Sequence, residues 1–217
     1  MNFPGQVVIN PGRTLRCLEA EKLKEMKNWF ASDRKFNSLY PKPIQEVAEK
    51  HWTPLEVAKK AADFLAISPD VKILDVGSGA GKFCLTAAYH HPFTLFYGVE
   101  QRTYLVELSE KLAKELQLEN IYFICDNITN IDFEKYDHFY FYNSFYENIQ
   151  GTQKIDSSIE YSTELYNYYN RYLFKQLNKK PAGTRLVTYH SFGNEIPPFY
   201  EVVHTDYNEY LKFWIKV

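Results

Sequence analysis

From residue 71 onward the chain alternates short apolar runs with amphipathic segments. The runs "VKILDV", "LFYGVE", "IYFICD" and "HFYFYN" start at Val71, Leu95, Ile121 and His138 and read as four strands. Each is rich in β-branched and aromatic residues and apolar on both faces, the pattern of strands buried between helix layers. Between them, Ala80 to His90 and Arg102 to Gln117 read as helices, the second carrying Leu105, Leu108, Leu112 and Leu116 on one face. A polar stretch, "ENIQGTQKIDSS", leads to a long Tyr-rich helix through Leu165, Tyr169, Leu173 and Leu177, and "TRLVTYHSF" supplies a fifth strand. The tail "YEVVHTDYNEYLKFWIKV" holds two strand-like runs about Asn208-Glu209, too close together for a crossover helix, and predicts an antiparallel hairpin at the sheet edge. The pattern specifies an α/β fold: a doubly wound, mostly parallel seven-stranded sheet with helices on both faces and a C-terminal antiparallel hairpin.

Upstream the pattern changes. An irregular lead-in with Pro4, Pro11 and Gly12 precedes a charged helix predicted from about Cys17 to Phe30. Thr53-Pro54-Leu55-Glu56 has the form of a helix start, with Thr as N-cap, Pro in the first turn and Glu three residues past the cap. Val57, Ala61, Phe64 and Leu65 then recur at helical spacing, so this helix is expected to pack on the sheet. The division expected from these features is a helical N-terminal extension over 1–50 and a core domain over 51–217.

Composition narrows the function classes. The 217 residues are 45% hydrophobic, enough for one domain with a substantial core. A formal net charge of −2 argues against a protein held to nucleic acid mainly by a basic surface, so no nucleic-acid partner is expected. No apolar run approaches the ~20 residues of a membrane span, and nothing resembles a signal peptide. Cys17, Cys84 and Cys125 are odd in number and far apart, which suits a reducing, cytoplasmic location. No His or Cys pair has zinc-site spacing, and no metal is expected.

The chemistry gathers at strand ends. In an open α/β sheet, ligands bind beyond the carboxyl ends of the strands, where strand order reverses. Here the first four strands finish in Asp75, Glu100, Asp126 and Asn143, and the first is followed by Gly77-Ser78-Gly79-Ala80-Gly81. A dinucleotide fingerprint spaces its glycines G-x-G-x-x-G and receives a pyrophosphate. This loop is spaced G-x-G-x-G behind an acid that would repel a phosphate but suits a ligand carrying an ammonium group, which disfavours a nicotinamide cofactor.

The Asp-x-Gly-x-Gly-x-Gly stretch, followed by a strand ending in Glu100, resembles motif I and the acidic motif of the class I S-adenosylmethionine-dependent methyltransferases. The resemblance runs over roughly residues 50–217 in order of elements. It implies that Asp75 and the Gly77-Ser78-Gly79 backbone, with Gly81 completing the motif, hold the methionine part of S-adenosylmethionine. It implies that Glu100 binds both ribose hydroxyls, that Asp126 and the Asn127 backbone meet the adenine amino edge, and that Thr53 lies in a step closing over the cofactor.

The acceptor is less marked. Asn143-Ser144-Phe145-Tyr146 is similar to a degraded Asn-Pro-Pro-Tyr motif of amino-group methyltransferases, and closer to the Asn-Asn-Phe step of the non-SET lysine methyltransferases, whose acidic motif matches Gly98-Val99-Glu100. That implies catalytic roles for Asn143, orienting an amine, and Tyr146, shielding it. A lysine acceptor also has to lose its proton, for which Tyr146, Glu147 and His190 are candidate relays ranked below Asn143. The expected activity is methyl transfer to the amine of a small molecule or of a protein lysine. An O-methyltransferase or another small-molecule methyltransferase, and a non-catalytic S-adenosylmethionine-binding protein, remain open alternatives, and the oligomeric state is not specified.

Overall fold

The computed structural model describes residues 26–217. The predicted helix over 17–30 falls largely outside them, with residues 26–29 helical. The chain divides into two compact units, 1–40 and 41–217. In the first, the short helix α1 (Asp33–Asn37) is capped by Ser32, whose Oγ accepts the Lys35 N–H at 3.4 Å.

The second unit opens with two single-turn helices, α2 (Lys42–Glu46) and α3 (Ala48–His51), which lie on its side of the division. Helix α4 (Leu55–Leu65) follows and buries Val57, Ala58, Ala61, Ala62 and Leu65. The expected capping box does not form. Pro54 occupies the cap position with no side-chain hydrogen bond, and the Thr53 hydroxyl instead meets the Tyr140 hydroxyl at 3.0 Å. Tyr140 is fully buried, so its hydroxyl needs a partner within the fold, and Thr53 supplies it.

Five parallel strands then alternate with helices: β1 (Lys72–Val76), α5 (Lys82–His90), β2 (Leu95–Glu100), α6 (Thr103–Glu115), β3 (Ile121–Cys125), β4 (His138–Phe141), α7 (Thr163–Lys179) and β5 (Arg185–Tyr189). The hairpin β6 (Tyr200–Asp206) and β7 (Leu211–Lys216) completes a seven-stranded sheet in the order β3-β2-β1-β4-β5-β7-β6. The final strand is the interior one of the hairpin: β7 pairs antiparallel with both β5 and β6, leaving β6 at the edge. Tyr207, Asn208 and Glu209 make the turn with positive φ angles of 52°, 54° and 66°.

The four strands were expected to be buried on both faces, and β3 departs from this. It is the other edge strand, and only Ile121 is buried; Tyr122 and Cys125 are exposed. Its apolar run covers half a sheet edge rather than a sheet interior. On one side of the sheet α7 sets Tyr169, Leu173 and Leu177 against Leu74, Val76, Phe139 and Phe141. Full burial of each such aliphatic side chain contributes about 1.5–3 kcal/mol. On β1 the neighbouring positions Ile73 and Asp75 face the opposite side, the side on which α4 and α5 pack together.

The register decides where the site lies. Val76 is level with Val99 and Phe141, and Glu100 with Cys125, so the loops after β1, β2, β3 and β4 leave the sheet at one end. The strand order reverses between β1 and β4, and the crevice opens there.

Candidate functional site

A cavity of about 540 Å³ occupies this crevice. All four strand-end residues, Asp75, Glu100, Asp126 and Asn143, line it, together with Thr53, Gly77, Ser78, Gly79, Asn127 and Tyr146. Gly81 does not. It has left-handed φ and caps α5, and a Cβ there would lie 2.7 Å from Ser109 Oγ and 2.8 Å from Phe123 Cζ. The third glycine of the loop therefore lets α5 approach α6 and β3 rather than facing the cavity.

The other two glycines answer for the bare backbone. Gly77 and Gly79 have φ of 75° and 53°, a region costly for residues with a Cβ. A Cβ at Gly77 would overlap Ser144 Cβ, and one at Gly79 would overlap the Trp52 ring. Trp52 is itself pinned by its indole N–H, which donates to Ile44 O at 2.8 Å. The loop is tied to β2 by the Gly79 N–H, which donates to Glu100 Oε2 at 3.2 Å, and by the Ser78 N–H, which donates to Val99 O at 2.9 Å. Below it, Phe83 stacks on Tyr140 with centroids 3.9 Å apart. Ser78 Oγ is buried without a hydrogen-bond partner, a polar group that a ligand in the cavity would satisfy.

Asp75 is 3% exposed. Burial, with a smaller push from Glu100, raises its carboxyl to about 8, although the Cys84 thiol donates to it at 3.5 Å and opposes the shift. A carboxyl so placed gains from a cationic neighbour. Glu100 is 6% exposed and takes three donors: the Gly79 N–H on Oε2, and the Arg102 N–H at 3.0 Å and Nη1 at 3.1 Å on Oε1. Asp126 Oδ1 accepts the Asn127 N–H and the Asn130 side-chain amide, each at 2.7 Å. The Asn127 amide hydrogen is therefore already engaged, and its side chain reaches Tyr169 OH at 2.8 Å.

At the end of β4, Asn143 holds a left-handed backbone with φ 40°, and its carbonyl accepts the Tyr146 N–H at 2.9 Å. Its side-chain amide lines the cavity with no partner among the described residues. Ser144 Oγ donates to Val76 O and so fastens this corner to β1. Around Asn143 the wall is aromatic. Tyr142 lies 4.8 Å from Tyr189 and 5.9 Å from His190, His190 stacks on Tyr210 at 4.4 Å, and Tyr146 and Phe192 face each other at 6.3 Å. Burial lowers the pKa of His190 and raises that of Tyr142 to about 12, so both are neutral near pH 7.

Three cavity residues have no mark in the sequence. Arg102 follows Glu100 by two positions, Tyr161 lies in the polar stretch before α7, and His51 ends α3. The His51 Nε2 is buried without a partner, and burial lowers its pKa against the opposing charge of Glu147. No periodicity or spacing separates these three from ordinary surface residues.

Comparison with known proteins agrees with this geometry. A family model described as a methyltransferase domain matches residues 67–195. The chain belongs to that family. A backbone bared by Gly77 and Gly79, an unpaired buried hydroxyl at Ser78 and two buried carboxyls fit a ligand with an ammonium group and hydroxyls. A tRNA (guanine-N(7)-)-methyltransferase of Synechococcus sp. (strain JA-3-3Ab) is 46% identical over 55 residues, which cover 25% of this chain and 23% of that one. The match therefore takes in about a quarter of either protein. Among solved structures, TrmN from Thermus thermophilus aligns with a TM-score of 0.54 at 16% identity, over 79% of this chain and 52% of that one. An RNA methyltransferase from Salinibacter ruber in complex with S-adenosyl-L-homocysteine aligns with a TM-score of 0.52 at 19% identity, over 76% and 91%. At these identities the structures share the fold. No helix among the described residues is long and apolar enough to cross a membrane.

Proposed function

We propose that this methyltransferase acts on nitrogen, transferring a methyl group to an amine such as that of a small molecule or a lysine side chain. The observation that carries the reading is Asn143: an unpaired side-chain amide on a left-handed strand end, set in an aromatic wall beside the cofactor crevice. An asparagine oxygen can accept a hydrogen bond from an amine N–H and so aim the nitrogen lone pair, while Tyr146 and the rings near it keep water away. Desolvation in such a wall favours the neutral amine, which is the nucleophilic form.

In this reading Asp75 and the Gly77–Gly79 backbone hold the methionine end of the cofactor, Glu100 takes the ribose hydroxyls and Asp126 faces the adenine. S-adenosylmethionine, when bound, supplies a methyl group already activated on a sulfonium. Orientation is then the protein's main contribution, and a strong base is not required. A proton leaving the acceptor has a neutral imidazole within the same cavity in His51, as well as His190 and Glu147.

A second reading is methylation of a ring nitrogen in RNA. The local identity to tRNA (guanine-N(7)-)-methyltransferases and the exposed rings of Tyr146 and Phe192 favour it, whereas the net charge of −2 does not. Incubation with radiolabelled S-adenosylmethionine and a size-fractionated lysate, with nuclease and protease controls, separates the readings. Label lost to protease or found in small amines supports the first; label lost to nuclease replaces it by the second; label on oxygen removes both.

A further inference from the structure

One guanidinium joins the cofactor crevice to the segment that covers it. Arg102 is 4% exposed, and its donors are spent on both sides of the cavity. Nη1 donates to Glu100 at 3.1 Å, while Nη2 donates to Glu147 Oε2 and to the Tyr161 hydroxyl, each at 2.8 Å. Nε lies 3.4 Å from Asp156. The last three partners belong to the stretch after β4, which runs without an α-helix or strand from Asn143 to Ser162 and places Ile155, Ile159 and Tyr161 against the cavity. Loops of that length in a compact domain are usually functional.

Besides Arg102, Lys50 Nζ holds the stretch by donating to Gln153 Oε1 at 2.7 Å, and the Tyr104 hydroxyl by donating to Asp156 Oδ2. Glu147 accepts the Ile155 N–H at 2.6 Å, and the Tyr161 hydroxyl donates to Asp156 O at 2.9 Å, but these contacts are internal to it. Three carboxylates thus converge on one cation, and arginine reaches them with donors spread over three nitrogens of one plane, where an ammonium has its donors on a single nitrogen. On the other side, Oε1 of Glu100 has both acceptor positions filled by Arg102, and Oε2 keeps one beyond the Gly79 N–H. Arg102 therefore decides the rotamer in which Glu100 meets a ligand.

Resting on the reading that Glu100 binds the ribose, we propose that Arg102 is a positioning residue: it holds Glu100 aimed at the cofactor and, with the same guanidinium, straps residues 147–161 over the occupied site. Cofactor binding and ordering of the strap are then coupled, each strengthening the other through a residue that touches no substrate.

The test uses S-adenosylhomocysteine as the probe, calorimetry for affinity and hydrogen exchange for residues 149–161, all on the full chain. In the wild type the probe should increase strap protection. Arg102→Met should weaken probe binding about 10-fold or more, as expected when a buried carboxylate loses its cation, and should abolish the added protection. Arg102→Lys restores a charge opposite Glu100 without the fork. It should recover affinity to within about 3-fold of wild type while strap protection stays lost, a separation that a merely structural residue would not give. If Arg102→Met does not fold, Arg102→Lys and Glu147→Gln carry the test, the latter lowering probe-induced protection. Wild-type affinity in folded Arg102→Met, with Glu100→Gln impaired, overturns the proposal and leaves the Glu100 reading intact. Wild-type affinity in Glu100→Gln as well overturns both.

Discussion

The Gly79 amide hydrogen points to Glu100, 3.2 Å from its Oε2, so the glycine loop after β1 and the acid ending β2 form one hydrogen-bonded unit. A side chain at position 79 would strike the Trp52 ring, and a lost carboxylate at 100 would leave the loop tied to β2 by the Ser78 N–H.

Glu100→Ala should weaken S-adenosylmethionine binding by about 1–3 kcal/mol, the range for losing charge-assisted hydrogen bonds to a buried partner. The fold should survive because the side chain lies beyond the sheet ladder. Calorimetry on the folded variant checks it, and an unchanged dissociation constant would move the ribose contact elsewhere.

Gly79→Ala combines a left-handed backbone with a clash against a ring whose indole is hydrogen-bonded. The expected outcome is a loss of about 1–2 kcal/mol in stability, from the strained φ alone, and a larger loss in cofactor affinity as the loop shifts. Urea unfolding and calorimetry measure the two separately. Gly81→Ala, facing Ser109 and Phe123 rather than the cavity, should reverse the weighting and cost mainly stability; equal losses of affinity in the two variants would contradict the assignment of the third glycine to packing.

Asp75 links the site to pH. Its carboxyl is raised to about 8 by burial, so without ligand it is protonated at neutral pH, whereas the unfolded chain has already released that proton above about 4. The folded state binds the extra proton in that window, and ligand-free stability should fall as pH rises from about 4 to about 8. A ligand ammonium favours the carboxylate instead, so binding should release a proton and affinity should climb over the same range. It should stop climbing near pH 8, where an α-amino group itself deprotonates at roughly 7.7–8.0. Calorimetry in buffers of different ionisation enthalpy counts the proton, and Asp75→Asn should abolish its release. A binding constant flat between pH 6 and 8 would rule out this linkage.

Asn143→Ala should reduce turnover about 10²-fold or more while leaving cofactor affinity nearly unchanged, the scale of removing one preorganised polar contact. Once an acceptor is in hand, mass spectrometry should place the methyl on nitrogen, stable to hydroxylamine and mild base. Full activity in the variant, or methyl groups on oxygen, would remove the amine reading and keep only the methyltransferase.

Much of this molecule was legible in one dimension. Strand runs such as "LFYGVE" are short, apolar and bounded by polar residues, and burial between layers leaves that pattern in the chain wherever the strand lies inside the sheet. The glycine spacing was legible for the same reason, because a tight turn constrains residues at fixed local offsets. Where partners are distant in sequence, no offset exists to read. Thr53 looked like a helix cap and is instead the partner of Tyr140, 87 positions away. Gly81 looked like part of the cavity and is a packing glycine because Phe123 comes up beneath it. Arg102 looked like no more than the first residue of a helix, and folding places it between Glu100 and a stretch 45 to 59 residues further on. Local pattern determined the elements and the glycine loop, since both depend on neighbours along the chain. The pairing of buried polar groups was decided only by the tertiary structure, since each must find whichever donor or acceptor the packing of the sheet and helices brings within about 3 Å.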